Sequence, residues 1–313
     1  MDNKNAILFG NGLNLLNKGA ISWKELLKKI SLREKMPSDS YTLNYECIYL
    51  DVCPSKDVCE SELGAVNEFA LKSRIAAECS AFVTNEYYNR LIDLPVDTYL
   101  TTNYDCVLDR TLLATDYAKD INNTRISESI YSIRRCHAFR SLHSEVIKRV
   151  FPIHGVVEAP KTIMIGYDHY CGALGKLDDY FKGNYVYKYE DKNVKLPRLL
   201  ERLNGGNEEN PMNSLGIFWP DYFFTHNIHI IGLSMLLDES DLWWVLNKRS
   251  RYQKICNTIN NSIYFYGDPS PSITYYMESL GIRIERYQVV DINDTEAWGK
   301  IYDLILERLS QNL

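Results

Sequence analysis

Apolar and polar positions along this chain follow two rhythms. Short, almost wholly apolar runs recur at 6–9, 97–102, 150–153, 162–165, 227–231, 262–266 and 283–287. Runs of this kind predict strands covered on both faces. Between them the spacing becomes helical. Trp23, Leu26, Leu27 and Ile30 share one face, and Ser22 with Glu25 supplies a capping box at its start. Trp298, Ile301, Tyr302, Ile305 and Leu309 form another apolar stripe near the end of the chain. Strands alternating with helices predict an α/β layered domain.

Two stretches break the alternation. Residues 31–90 read mainly as helices with Tyr- and Cys-containing loops, while 171–225 mixes tyrosines, charges and a Gly205-Gly206-Asn207 loop. Both are read as mainly helical insertions covering an edge or the mouth of the sheet, within a single domain spanning 1–313. No fixed-period repeat or low-complexity tract is visible, which disfavours a solenoid.

The polar signatures stand where strand runs end. They are Gly10-Asn11-Gly12-Leu13-Asn14, Thr101-Thr102-Asn103-Tyr104-Asp105, His154-Gly155 and Gly232-Leu233-Ser234. In an open parallel sheet, ligands sit in the crevice beyond the carboxyl ends of the strands. The four signatures therefore predict one nucleotide site assembled from distant segments. Glycines on either side of Asn11 let the backbone approach a phosphate, and equally suit a tight strand-to-helix turn. The Asn103 amide can serve a ribose hydroxyl or a water, or close an Asx-turn. Asp105 can accept from a ligand or cap a helix starting near Cys106. His154 can take a proton near neutral pH, and Gly155 leaves room beside it.

Other polar groups point to chemistry less directly. His137, His143 and His169 show no partner pattern, and His226 and His229 are read as structural. Asp238, Glu239 and Asp241 are most simply a helix N-terminus. Trp243-Trp244 suits stacking on a base or packing in a core or oligomer interface. Gly267-Asp268-Pro269 repeats the strand-end pattern, as a turn or as a contact to an adenosine hydroxyl.

Composition narrows the picture. Of the 313 residues, 45% are hydrophobic and 24% charged, with a net charge of -6, close to ordinary globular values. That charge gives no general pull toward nucleic acid or anionic membranes, although Lys248, Arg249 and Arg251 offer a local basic patch. The apolar run near the N-terminus is too short for a signal peptide, and no stretch reaches bilayer-spanning length. A cytoplasmic location is expected. The eight cysteines include no C-x-x-C pair, and Cys47, Cys53 and Cys59 are evenly scattered. Reduced, mostly buried thiols are predicted rather than zinc or disulfides.

Taken in order, these motifs resemble the sirtuin-like NAD-consuming superfamily, and within it the bacterial branch that cleaves NAD in anti-phage defence. The four signatures stand where that superfamily has its glycine turn, its Thr-Gln-Asn-x-Asp motif, its His-Gly pair and its Gly-x-Ser. The stretch 22–27 is similar to the Trp-x-x-Leu-Leu helix of the bacterial branch. The stretch from Ile163 to Tyr170 is similar to its second strand and Asp-x-Tyr element. The resemblance runs from residue 6 to about 290, interrupted by the two insertions. It implies a Rossmann-like, mostly parallel sheet with helical insertions, and an NAD glycohydrolase that releases nicotinamide.

By that resemblance Asn103 positions the ribose or a water, and His154 acts as base. Gly10, Asn11, Gly12 and Asn14 would seat the pyrophosphate. Thr102 and Asp105 would line the NAD site, and Gly232 with Ser234 would meet phosphate or the adenosine ribose. Asn11 and Asn14 depart from the usual alanine and serine. Only Cys171 and Cys256 follow His154, so the four-cysteine zinc module of the deacylases cannot form. NAD is expected as substrate, with no metal. Also expected are a homo-oligomer, a defence-system partner that gates activity, and neither membrane nor direct nucleic-acid binding. The alternatives are a non-catalytic NAD or ADP-ribose sensor and a protein-lysine deacylase.

Overall fold

A computed structural model describes residues 4–33, 35–52, 60–126, 129–189, 192–205, 215–289, 291 and 294–313. Among the described residues the strands are β1 (Lys4–Phe9), β2 (Thr98–Thr101), β3 (Tyr117–Lys119), β4 (His137–Ser141), β5 (Ile147–Pro152), β6 (Val186–Tyr189), β7 (Lys192–Lys195), β8 (His226–Ile231), β9 (Ile263–Tyr266) and β10 (Ile282–Glu285). Eight of them make one sheet in the order β10-β9-β8-β1-β2-β5-β4-β3. The six from β10 to β5 are parallel, and β4 and β3 extend the far edge antiparallel. Counting only the parallel strands in chain order, the sequence across the sheet is 3-2-1-4-5-6. This is the Rossmann arrangement, with its reversal point between β1 and β8.

The helices are α1 (Trp23–Ile30), α2 (Tyr41–Val52), α3 (Glu60–Ser80), α4 (Glu86–Asp93), α5 (Val107–Leu113), α6 (Tyr167–Lys182), α7 (Leu199–Leu203), α8 (Trp219–Thr225), α9 (Ser240–Gln253), α10 (Pro271–Ser279) and α11 (Thr295–Asn312). They cover both faces of the sheet, which explains the unbroken apolar runs. In β1, Ala6 and Leu8 pack with residues of α6, α8, α9 and α10, while Ile7 and Phe9 pack with α4, α5 and α11. Successive side chains alternate between faces, so a strand buried on both must be apolar at every position. The capping box forms as expected: the Glu25 amide donates to Ser22 Oγ at 3.3 Å and the Ser22 amide to Glu25 Oε2 at 2.7 Å.

Helices α1, α2 and α3 gather a separate apolar cluster, including Leu26, Leu27, Tyr45, Ile48, Leu71 and Ile75, around Tyr104 and Ile163. These three helices thus rest on the turn that follows β2. The later stretch contains the β6–β7 hairpin as well as the helices expected there. A buried polar knot anchors it: Arg202 Nη2 lies 3.3 Å from Asp221 Oδ2, and Tyr180 bonds to both partners.

Several expectations change. Residues 162–165 are not a strand but a 3-10 turn (Pro160–Thr162) followed by a buried extended segment. The Met164 amide donates to the His154 carbonyl at 2.8 Å and Tyr104 Oη donates to the Met164 carbonyl at 2.5 Å, so side chains and turns replace a ladder. Strands β3 and β4 carry no apolar run of the kind that marks the others, because they are short and partly exposed. Arg249 is buried and bonds to Asn261, so it does not belong to a surface basic patch. Trp243 and Trp244 pack internally, against Tyr276 and Phe181 respectively. Asp268 forms an exposed ion pair with Arg286 at 3.0 Å. The described cysteines are free thiols, with Cys79, Cys136 and Cys256 buried. Cys53, Cys59, Gly206 and Asn207 lie outside the described residues. No described helix is long and apolar enough to cross a membrane.

Candidate active site

All four polar signatures lie at the carboxyl ends of parallel strands. Gly10 follows β1, Thr102-Asn103 follows β2, His154-Gly155 follows β5 and Gly232 follows β8. The β1 and β8 turns cross in close contact at the point where strand order reverses. The Gly10 and Gly12 amides donate to the carbonyls of Ile231 and Gly232, at 3.2 and 2.8 Å. A Cβ on Gly12 would lie 2.7 Å from the Gly232 Cα and 2.2 Å from Tyr302 Oη. These glycines therefore serve backbone crossing, and their own amides are committed to the β8 turn rather than free for a phosphate. Gly155 has a similar structural reason: its φ is +107°, and a Cβ there would meet the Thr162 carbonyl oxygen at 2.3 Å. It supports the turn rather than leaving space beside His154.

The glycine turn is tied to the turn after β2 by buried amides. Asn14 Nδ2 donates to Asn11 Oδ1 at 3.0 Å and to Asp105 Oδ2 at 2.6 Å, while Tyr88 Oη donates to Asn14 Oδ1 at 2.8 Å. Asp105 also caps α5, accepting from the Val107 amide at 2.8 Å. Burial raises the Asp105 carboxyl to about 6, opposed by those bonds from Val107 and Asn14. Asn14 and Asp105 thus hold the two turns together. Thr102 is buried, its amide donating to the Phe9 carbonyl at 3.4 Å. Ser234 is exposed.

Asn103 is 3% exposed, and its Nδ2 donates to the Gly10 carbonyl at 3.2 Å. Its Oδ1 is buried without a hydrogen-bond partner. Leaving a buried acceptor unmet costs about 1–3 kcal/mol, so such an atom calls for an explanation. A cavity of about 10 Å³ lies beside it, lined in part by Thr101, Asp105 and Pro152, with room for roughly one water.

His154 is matched to Asn103 by strand register. Thr101 pairs with Pro152, and each candidate residue stands two positions further along. The Ile153 amide donating to the Thr101 carbonyl at 2.8 Å carries that pairing beyond the strand ends. Neighbouring strands lie about 4.8 Å apart, so the two residues follow the ends of adjacent strands; the small cavity beside Asn103 does not include His154.

The His154 ring is held by residues that sequence reasoning assigned only to a helix terminus. Nε2 lies 3.0 Å from Asp241 Oδ2, and both side chains are almost fully buried. A carboxylate accepts, so Nε2 carries the proton, and in the neutral ring Nδ1 holds the free lone pair. Nδ1 faces Tyr170 Oη at 3.4 Å and Glu239 Oε2 at 3.8 Å. Burial alone would pull the His154 pKa down, but the carboxylates of Asp241 and Glu239 outweigh it and raise it. Burial pushes the Glu239 carboxyl up to about 7, opposed by His154 and reinforced by Asp241 and Asp238. Glu239 Oε2 is, like Asn103 Oδ1, a buried atom without a hydrogen-bond partner.

Asp238 faces the other way. It accepts from Ser40 Oγ, the Tyr41 amide and Thr42 Oγ1, at 2.5, 2.8 and 2.9 Å. The β8–α9 loop is thereby fastened to the N-terminal end of α2. Three acids within four positions after Gly232-Leu233-Ser234 were the available signal, but their partners lie far away in sequence. His137 and His169 also have partners, Asp109 and Glu68, while His229 bonds to Tyr266 and Asn5 as a structural residue would.

No protein-family model matches the sequence. The chain is similar to the NAD(+) hydrolase ThsA of Bacillus cereus (strain MSX-D12), at 28% identity over 190 residues, covering 58% of this chain and 34% of ThsA. The match thus spans about a third of that relative's length.

Proposed function

We propose that the chain is an NAD hydrolase that cleaves the nicotinamide–ribose bond, with a sirtuin-like catalytic pair and no deacylase zinc module. The observation that carries this reading is the unmet Asn103 Oδ1, on the strand end next to a histidine oriented by a buried carboxylate. The similarity to an NAD(+) hydrolase supports the same chemistry.

Breaking a glycosidic bond to ribose passes through an oxocarbenium-like state. In this reading Asn103 Oδ1 accepts from a ribose hydroxyl or the attacking water, which meets its unpaired acceptor. His154 Nδ1 takes the proton, while Asp241 fixes the tautomer and stabilises the imidazolium that forms. Tyr170 positions the ring from its Nδ1 side. Glu239, with its pKa near neutrality, accepts from a second hydroxyl or exchanges a proton with His154.

The cavity beside Asn103 is far smaller than a dinucleotide. NAD therefore seats only after the β8–α9 loop moves off the strand ends, and its Asp238 contact with α2 is what must give. Gating of this kind suits a cell that must avoid unrestrained NAD loss. The reading extends to anti-phage defence by NAD depletion, with release triggered by self-assembly or a partner protein. Full constitutive activity in an isolated monomer would contradict the gating.

A crystal of His154→Ala soaked with NAD tests the placement. The nicotinamide ribose should lie within hydrogen-bonding distance of Asn103 Oδ1. Density for NAD elsewhere, with Asn103 untouched, would overturn the assignment.

A further inference from the structure

A second group of reactive side chains sits on the α5 side of the β2 and β5 ends. Cys106 precedes α5 and Asp109 lies three residues on, in its first turn. His137 opens β4, and Glu158 lies in the loop after β5. His137 Nδ1 is hydrogen-bonded to Asp109 Oδ2, and Cys106 Sγ lies 2.9 Å from Glu158 Oε2. One donor atom from each of Cys106, Asp109 and His137 falls within 4.8 Å of the other two. In a tetrahedral zinc site, bonds of roughly 2.0–2.3 Å separate donor atoms by roughly 3.3–3.8 Å. Small side-chain rotations would therefore close the set around one ion.

A second feature points the same way. Cys106, Asp109 and His137 all line the cavity of about 10 Å³ beside Asn103, a volume suited to one water or one ion. Sulfur, nitrogen and carboxylate oxygen together match the ligand set of zinc rather than that of calcium or magnesium. The other close cluster of this type, His154 with Glu239 and Asp241, is the acid–base group described above.

We propose that Cys106, Asp109 and His137 form a zinc-type divalent-metal site, with Glu158 or a water as fourth ligand. This departs from the expectation of a metal-free protein. That expectation rested on the absence of close thiolate pairs, whereas these donors come from separate elements and include a single thiol. On binding, the Cys106 S–H proton leaves to solvent and the thiolate takes its place on the metal. His137 Nδ1 exchanges its bond to Asp109 for the ion, with its proton carried on Nε2. The proposal does not rest on NAD cleavage, although the site shares its cavity with Asn103.

The test uses full-length, metal-stripped protein titrated with cobalt(II) under anaerobic conditions. Wild type should bind one equivalent and develop a thiolate-to-cobalt charge-transfer band that zinc abolishes. Cys106→Ser should lose the band, and His137→Gln should bind cobalt about tenfold or more weakly. Circular dichroism checks that each variant folds, and Asp109→Asn replaces any that does not. The proposal is overturned if wild type gives no charge-transfer band. It is equally overturned if Cys106→Ser keeps the band, which would assign it to another thiol such as exposed Cys171, or if His137→Gln and Asp109→Asn both bind like wild type.

Discussion

His154 Nε2 and Asp241 Oδ2 lie 3.0 Å apart, both buried, although 87 residues separate them in sequence. This contact crosses the carboxyl ends of the sheet, from the turn after β5 to the first turn of α9. It sets the ring's tautomer and, with Glu239, raises its pKa against burial; in the proposed reaction Asp241 therefore acts through the ring as a positioning residue.

Asp241→Asn should lower kcat by roughly 10²-fold, in the range for a displaced acid–base group. The His154 pKa is raised by Asp241 and Glu239 against burial, and a base works only when neutral. The acidic limb of the wild-type rate profile should thus lie above the ordinary histidine value of 6.5. In Asp241→Asn the main raising influence is gone, and that limb should move to lower pH. An unshifted limb in a folded variant would remove Asp241 from the mechanism.

Stability should fall as pH rises. The folded-state pKa of Glu239, about 7, lies above its ordinary 4.5, so the native state holds a proton that the unfolded chain has already released. Its contribution is complete below pH 4.5 and is lost as pH rises through about 7. The raised His154 acts in the same sense. The groups around them are Asp241, Tyr170 and Tyr104, with Asp238 acting through space although its own bonds go to α2. Glu239→Gln should flatten the dependence, gaining roughly 1–3 kcal/mol over wild type at pH 8. Thermal melts from pH 5 to 8 check this, and parallel curves for the two proteins would refute it.

The polar pattern revealed much of this arrangement and missed its partners for a physical reason. Runs such as 6–9 and 227–231 announce two-sided burial directly, so the six parallel strands and their strand-end signatures were legible, while the strand order and the short β3, β4, β6 and β7 were not. Asp241 was not, because an acid at a helix start has the same local appearance whether it caps the helix or holds a distant imidazole. Gly155 shows the converse. Its presence beside His154 suggested space for a ligand, yet the conformation and the Thr162 carbonyl account for it fully. The segment 162–165 looked like a strand because it is apolar, and it is buried, but its backbone bonds go to His154 and Tyr104.

Gly155→Ala should destabilise the protein by about 2–4 kcal/mol, combining left-handed backbone strain with overlap against the Thr162 carbonyl. Urea unfolding measures the loss. A change below about 0.5 kcal/mol would mean the turn readily adopts another path.

Asp238→Ala removes the three hydrogen bonds that fasten the β8–α9 loop to α2. Losing this cap in trans should cost about 1–2 kcal/mol of stability while raising the basal rate of NAD cleavage severalfold. Nicotinamide release and a thermal melt, made on the same preparation, report both effects. A stable variant with unchanged basal rate would remove the loop from the gate.

The central claim is that Asn103 and His154 act on one ribose. Its most direct measurement follows free nicotinamide from pure protein and NAD, with and without an acyl-lysine peptide. The comparison includes wild type, Asp238→Ala, Asn103→Ala and His154→Ala. Release should need no peptide, increase in Asp238→Ala, and fall by about 10²- to 10⁴-fold in each of the last two. Peptide-dependent release, NAD binding without release from either wild type or Asp238→Ala, or near-normal release from Asn103→Ala or His154→Ala would contradict the account.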